Sequence, residues 1–252
     1  MQTAVLFSEK LDAMKNNASG TSNDPAVLAV AAHVLSMIKD GDRIGLGSGR
    51  ASAAFIAALG DRVKHGLKVQ GVPTSEASAQ LAREMNIPLI ELSEGVELDL
   101  TVDGADEVAP NLDLIKGWGG ALVRERIVAA ASKRQIILVG PEKLVQTLGA
   151  RGRIPVEIIP LAIGFATHKL KALGLKPTLR PGKDLSPFVT DNGNLTLDCA
   201  LEAPLKDGRA ARELEARILD IPGVVDTGMF LGTADQILVG QPDGKVDVIK
   251  KT

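Results

Sequence analysis

A chain of 252 residues, 45% hydrophobic and 24% charged, has the length of one large or two small domains and a globular composition, which excludes disordered and fibrous classes. A formal charge of −2 with five Phe, one Trp and no Tyr supplies neither the basic footprint of a duplex binder nor the stacking platforms of a single-strand binder. Nucleic acid is not an expected partner.

Residues 1–24 end in the polar stretch NNASGTSND and read as an extension without periodicity. The first residues have no basic region ahead of a short apolar stretch, so they are not a signal peptide, and no later apolar run approaches the roughly 20 residues that span a bilayer. A cytoplasmic protein with no membrane partner is expected. Asp24 followed by Pro25 predicts an N-cap and first turn of a helix running to a stop at Gly41, with His33 packed or solvated inside it. Next come a strand over 43–46, a glycine-rich turn, and a helix over 51–59 closed by Gly60. Strand 67–72, helix 76–85, strands 88–92 and 98–102, helix 120–132 and strand 135–139 follow. Strands alternating with helices, the strands buried-looking and 135–139 near-continuously apolar, imply a parallel sheet covered on both faces.

From about Gly149 the prolines multiply (155, 160, 177, 181, 187) and the element order changes. Strand 156–159, helix 161–173, strands 177–179, 188–189 and 194–197, and helix 210–219 make a small antiparallel α+β domain. Asn192-Gly193 within TDNGN is a hairpin signal. Cys199, the sole cysteine, forms no disulfide within the chain and reads as a small buried hydrophobe. Strand-like runs at 236–239 and 244–249 either rejoin the first domain or close the second. Taking the former, the expected organisation is an extension (1–24), a catalytic domain (25–149 plus about 230–252) and a small domain (150–229).

Ligands of open parallel sheets bind beyond the carboxyl ends of the strands, and four loops there have unusual composition. GLGSGRAS, 45–52, offers backbone N–H groups and a helix N-terminus to a phosphate, with Ser48, Gly49, Arg50, Ala51 and Ser52 as contacts. It is neither a dinucleotide fingerprint nor a Walker A loop. Thr74 and Ser75 cap the next helix or give hydroxyls to a polar ligand. DGADE, 103–107, sets three carboxylates beside Gly104 and Ala105, an arrangement that repels itself unless a cation or a hydroxyl-rich substrate is present. KGWGGALVRERI, 116–127, places Lys116 ahead of Gly117, Trp118 and Gly119, and Glu125 in a helix beyond, where it serves either chemistry or an ion pair with Arg124 or Arg126. The scattered His33, His65, His168 and Cys199 make no metal-ligand set. The residues therefore point to acid/base chemistry on a small phosphorylated polyol, with no metal and no cofactor.

The segments GLGSG (45–49), GVPTSEAS (71–78), DLTVDGADEV (99–108), KGWGGALVRERIVA (116–129), PVEIIP (155–160) and TDNGN (190–194) together resemble the ribose-5-phosphate isomerase type A family, in order, from about Pro25 to the C-terminus. The resemblance implies a Rossmann-like domain, a smaller ferredoxin-like domain, a homodimer or homotetramer, and metal-independent interconversion of D-ribose 5-phosphate and D-ribulose 5-phosphate in the pentose phosphate pathway. It assigns the base of a cis-enediolate mechanism to Glu125, oxyanion stabilisation to Lys116 and the neighbouring N–H groups, hydroxyl binding and ring opening to Asp103 and Asp106, and a further substrate contact to Lys143. Three features depart from the family pattern. Arg50 and Ala51 stand where the phosphate loop has hydroxyl donors, Val27 where many members carry a lysine, and Trp118 in an otherwise glycine run. These departures leave two alternatives: isomerisation of another aldose phosphate, and a non-catalytic sugar-phosphate-sensing domain.

Overall fold

The computed structural model describes residues 24–182 and 186–251; the expected extension, apart from Asp24, lies outside the described residues. Asp24 accepts a hydrogen bond from Ala26 N at 3.0 Å, with Pro25 in the first turn, and starts helix α1 (Pro25–Leu35). The helix stops before Gly41 because Ser36 turns its hydroxyl back onto His33 O at 2.7 Å, beginning a tightened turn.

Then follow β1 (Arg43–Leu46), α2 (Arg50–Lys64), β2 (Gln70–Pro73), α3 (Glu76–Glu84) and β3 (Leu100–Gly104). Gly60 does not close α2. It lies within the helix, where an added Cβ would sit 2.5 Å from Met85 Cβ, so the glycine allows two helices to touch. The expected strand 88–92 reduces to one bridge, Gly71 with Leu89, because the segment meets only the edge of β2 and Pro88 brings no donor. Two short strands, β4 (Glu107–Val108) and β5 (Leu114–Ile115), precede α4 (Leu122–Ala130) and β6 (Gln135–Val139). Ile136 and Leu138 of β6 pack with α1 and α2, while Ile137 and Val139 pack on the opposite face, so the whole run QIILV is buried.

The second unit is β7 (Arg153–Ile158), α5 (Ile163–Ala172), β8 (Lys176–Leu179), β9 (Leu195–Ala200), α6 (Gly208–Leu219) and β10 (Val224–Thr227). Its sheet order β10-β7-β9-β8, antiparallel throughout, is that of a ferredoxin-like βαββαβ unit. Cys199 is fully buried in its core, and burial pushes the thiol up to about 12. The expected strand 188–189 consists of isolated bridges, Pro181 with Pro187 and Val189 with Leu195. TDNGN makes the tight turn, with Gly193 at φ +78°.

The chain then returns through β11 (Met229–Phe230), which joins β5 and β4 in a three-stranded sheet, to β12 (Gln236–Gly240) and β13 (Val246–Lys250). The main sheet runs β13-β12-β6-β3-β1-β2, parallel except for the β12–β13 pair. The molecule is thus an α/β protein with a parallel sheet and additional antiparallel sheets. No helix among the described residues is long and apolar enough to cross a membrane.

Candidate active site

From β1 the chain moves outward to β2, and from β3 it moves the other way to β6. The loops after β1 and β3 therefore part at a topological switch point, where open α/β sheets form their crevice. A cleft of about 290 Å³ opens there, a size suited to a small ligand.

Asp103 ends β3 and is wholly buried under the first loop. Its Oδ1 accepts hydrogen bonds from Ser48 N at 2.9 Å, Gly104 N at 2.8 Å and, more loosely, Ser52 Oγ at 3.4 Å. Its Oδ2 lies 2.9 Å from Lys116 Nζ. That ammonium also lies 3.2 Å from Glu125 Oε2 and donates to Gly104 O at 2.5 Å. Asp103 Oδ2 and Glu125 Oε2 have no aligned hydrogen-bond donor among the described residues; charge attraction across Lys116 holds them. Lys116 is 2% exposed and Glu125 5%, so the three charges interact in a poorly screened environment.

Burial and the neighbouring Asp103 charge push the Glu125 carboxyl up to about 8, against the pull of Lys116. Burial opposes the charge on Lys116, but the two carboxylates outweigh it and raise its pKa. Asp106 is raised by burial, partly offset by the Trp118 N–H donated to its Oδ2 at 2.9 Å. A carboxyl that titrates near neutrality beside a fixed cation suits proton transfer at a carbon that becomes acidic when an adjacent oxygen is stabilised. The neighbours of Glu125 do not compete for it. Arg124 turns to Glu76 at 2.8 Å, and Arg126 to Asp226 at 2.5 Å.

At the other end of the cleft, Gly49 at φ +90° begins α2 without a side-chain cap, leaving first-turn N–H groups for an anion. Ser48, Gly49, the exposed Arg50 and Ala51 line the wall there, together with Val27. Gly104, Ala105 and Asp106 form one side, Gly117 and Gly119 border Lys116, and Lys143 stands in the short 3-10 turn Pro141–Lys143 that follows β6.

The structure does not bring every expected contact onto the wall. Ser52 turns to Asp103, and Thr74 and Ser75 lie beneath the loop, where each bonds Ser48 Oγ, at 2.9 and 2.8 Å; Ser75 also caps α3. The Trp118 side chain points away from the cleft. Arg153, Arg151 and Lys143 sit 4.9, 5.6 and 5.9 Å from its ring, and its Nε1 donates to Arg153 O at 3.2 Å. Glu142 also lines the cleft, and its place beside Lys143 after a buried strand was the signal for it. Among the described residues no group of three or more His, Cys, Asp or Glu is disposed to hold a metal ion.

A family profile described as Ribose 5-phosphate isomerase A (phosphoriboisomerase A) matches residues 70–244. A Roseiflexus protein named Ribose-5-phosphate isomerase A is 44% identical over 220 residues, covering 86% of this chain and 93% of the relative. Among solved structures, ribose 5-phosphate isomerase A from Methanocaldococcus jannaschii superposes with a TM-score of 0.84 at 40% identity, covering 91% of this chain and all of that one. The Plasmodium falciparum ribose 5-phosphate isomerase gives 0.86 at 33% identity over 91% of this chain and 99% of that one. A further relative, 38% identical with a TM-score of 0.84 over 90% of this chain and 97% of its own, is a D-ribose-5-phosphate isomerase solved with phospho-erythronic acid. With this agreement extending along nearly the whole chain, the protein belongs to the ribose 5-phosphate isomerase A family and is an aldose–ketose isomerase.

Proposed function

We propose that the protein interconverts D-ribose 5-phosphate and D-ribulose 5-phosphate, with Glu125 moving the proton between C2 and C1 of the open-chain sugar through a cis-enediolate. The observation that carries this reading is the buried Lys116 ammonium set 3.2 Å from the Glu125 carboxylate on the cleft wall. The base takes the C2 proton while Lys116 and the Gly119 N–H stabilise the oxyanion growing on O1; the hydroxyl proton on O2 passes to O1, and the same carboxyl returns a proton to C1 as the C2 oxygen becomes the carbonyl. Asp103 keeps Lys116 charged and in place. Asp106 binds sugar hydroxyls and assists ring opening.

The phosphate sits at the N-terminus of α2, with Arg50 supplying a bidentate charge in place of hydroxyl donors and Lys143 adding a second cation. In this reading 25–149 with about 230–252 forms the catalytic unit, and 150–229 buttresses it. Turnover in D2O tests the mechanism: proton transfer through an enediolate exchanges with solvent and puts deuterium on C1 of the ketose. Turnover that leaves no deuterium on C1 and persists in Glu125→Gln would point to a hydride shift and remove Glu125 as the base.

A further inference from the structure

Arg180, at the end of β8, belongs to the second unit but reaches the catalytic loop. It is 8% exposed, and its guanidinium is held by a fork to Asp198 of β9, Nε to Oδ2 at 3.0 Å and Nη2 to Oδ1 at 2.5 Å. The remaining nitrogen, Nη1, donates to Gly117 O at 3.0 Å and Trp118 O at 3.1 Å. These two carbonyls differ in how else they are held. Gly117 O also accepts from Gly120 N at 3.0 Å, and the N–H of the same peptide, on Trp118, is tied to Asp106. Trp118 O has no other donor among the described residues, so Arg180 alone fixes the Trp118–Gly119 peptide plane.

No peptide is cis among the described residues, and in a trans peptide the N–H points opposite to the C=O. With its carbonyl drawn to Arg180, that peptide turns the Gly119 N–H to the other side. This N–H has no acceptor among the described residues, and Gly119 borders the cleft beside Lys116. Phe188 supports the arrangement from behind. Its ring lies 5.7 Å from the Arg180 guanidinium and 2.4 Å from where a Cβ on Gly120 would stand, so this turn requires glycine there.

We propose that Arg180, locked by Asp198, is a positioning residue that orients the Gly119 N–H toward the developing oxyanion and so serves the transition state rather than substrate binding. The inference rests on the proposed enediolate reading. The experiment compares Arg180→Lys and Asp198→Asn with wild type and with Glu125→Gln, at a temperature below every melting transition. A lysine cannot fork Asp198 and hold both carbonyls together. Arg180→Lys is expected to lower kcat about 100-fold with KM changed less than about threefold. Affinity for a phosphorylated hydroxamate that mimics the enediolate is expected to fall in step with kcat/KM, while affinity for an unreactive polyol phosphate is retained. Asp198→Asn is expected to give the same pattern, more weakly. Wild-type kcat in Arg180→Lys, or an equal loss of affinity for both ligands, would overturn the proposal while leaving the enediolate reading standing. Sustained turnover by Glu125→Gln would instead remove the reading beneath it.

Discussion

Glu125 is pulled two ways: burial and Asp103 oppose its ionisation, and Lys116 favours it. In the proposed mechanism Glu125 acts ionised, so kcat/KM is expected to rise with pH on a limb near 8 and not near the ordinary carboxylate value of 4.5. Asp103→Asn removes a like charge and is expected to move the limb to lower pH as it lowers the rate; a pH–rate series on the two proteins checks both. The same shift is linked to stability. A carboxyl whose pKa is higher folded than unfolded favours folding most below its unfolded pKa and loses that contribution as pH rises through its folded value. Melting temperature is therefore expected to decline toward pH 8 less steeply in Glu125→Gln than in wild type. At the proposed phosphate end, loss of the Arg50 guanidinium in Arg50→Ala is expected to raise KM about 10-fold or more with kcat little changed; an unaltered KM would remove Arg50 from the proposed phosphate site. Residue types and spacing made the carboxylates, Lys116 and the glycine loop legible in the sequence. The outward turn of Trp118 was not legible, because the cations that hold its ring come from Arg151 and Arg153, at the start of the second unit.

Elements were readable in proportion to the length of their periodic pattern. The near-continuous apolar run QIILV and the Asp24-Pro25 cap marked β6 and the start of α1, whereas β4, β5 and β11 have two residues each, too few to show alternation. Gly60 was misleading because a glycine late in a helical pattern resembles a stop, and only the packing against Met85 tells otherwise. This gives opposite expectations for Gly60→Ala. Helix propensity alone would stabilise by about 0.4–1 kcal/mol. Overpacking against Met85, where the backbone oxygen also stands 2.8 Å from the added Cβ, costs about 1–3 kcal/mol. The second effect wins, and a fall of several degrees in melting temperature, about 2–4 °C per kcal/mol, is expected; a rise would mean that the helices yield. Pairing of the motifs PVEIIP and TDNGN was equally invisible. Buried Glu157 Oε1 accepts from Thr190 Oγ1, Asn192 Nδ2 and Asn194 Nδ2 at 2.9–3.0 Å, so a strand from one motif anchors the hairpin of the other.

Across the whole molecule, the proposed catalytic groups come from different elements, Asp103 from β3 of the parallel sheet, Lys116 from the loop after β5 and Glu125 from α4, and α4 is braced by the antiparallel part. Arg126 of α4 bonds Asp226, Thr227 O and Met229 O and lies 4.3 Å from the Phe230 ring; Arg124 reaches the hairpin at Asp191 O and Asn192 Oδ1. The helix bearing Glu125 is thus fixed from both sides. The sequence left the tail free to join either unit. Residues 237–239 are apolar and buried, and β12 lies beside β6, where the hydrophobic layers continue. The most direct test of the central claim measures conversion of ribose 5-phosphate to ribulose 5-phosphate by the purified protein and by Glu125→Gln, each with and without EDTA. Turnover unaffected by EDTA and lowered about 100- to 10,000-fold in the folded variant is the predicted result. Near-normal turnover by Glu125→Gln would contradict the account.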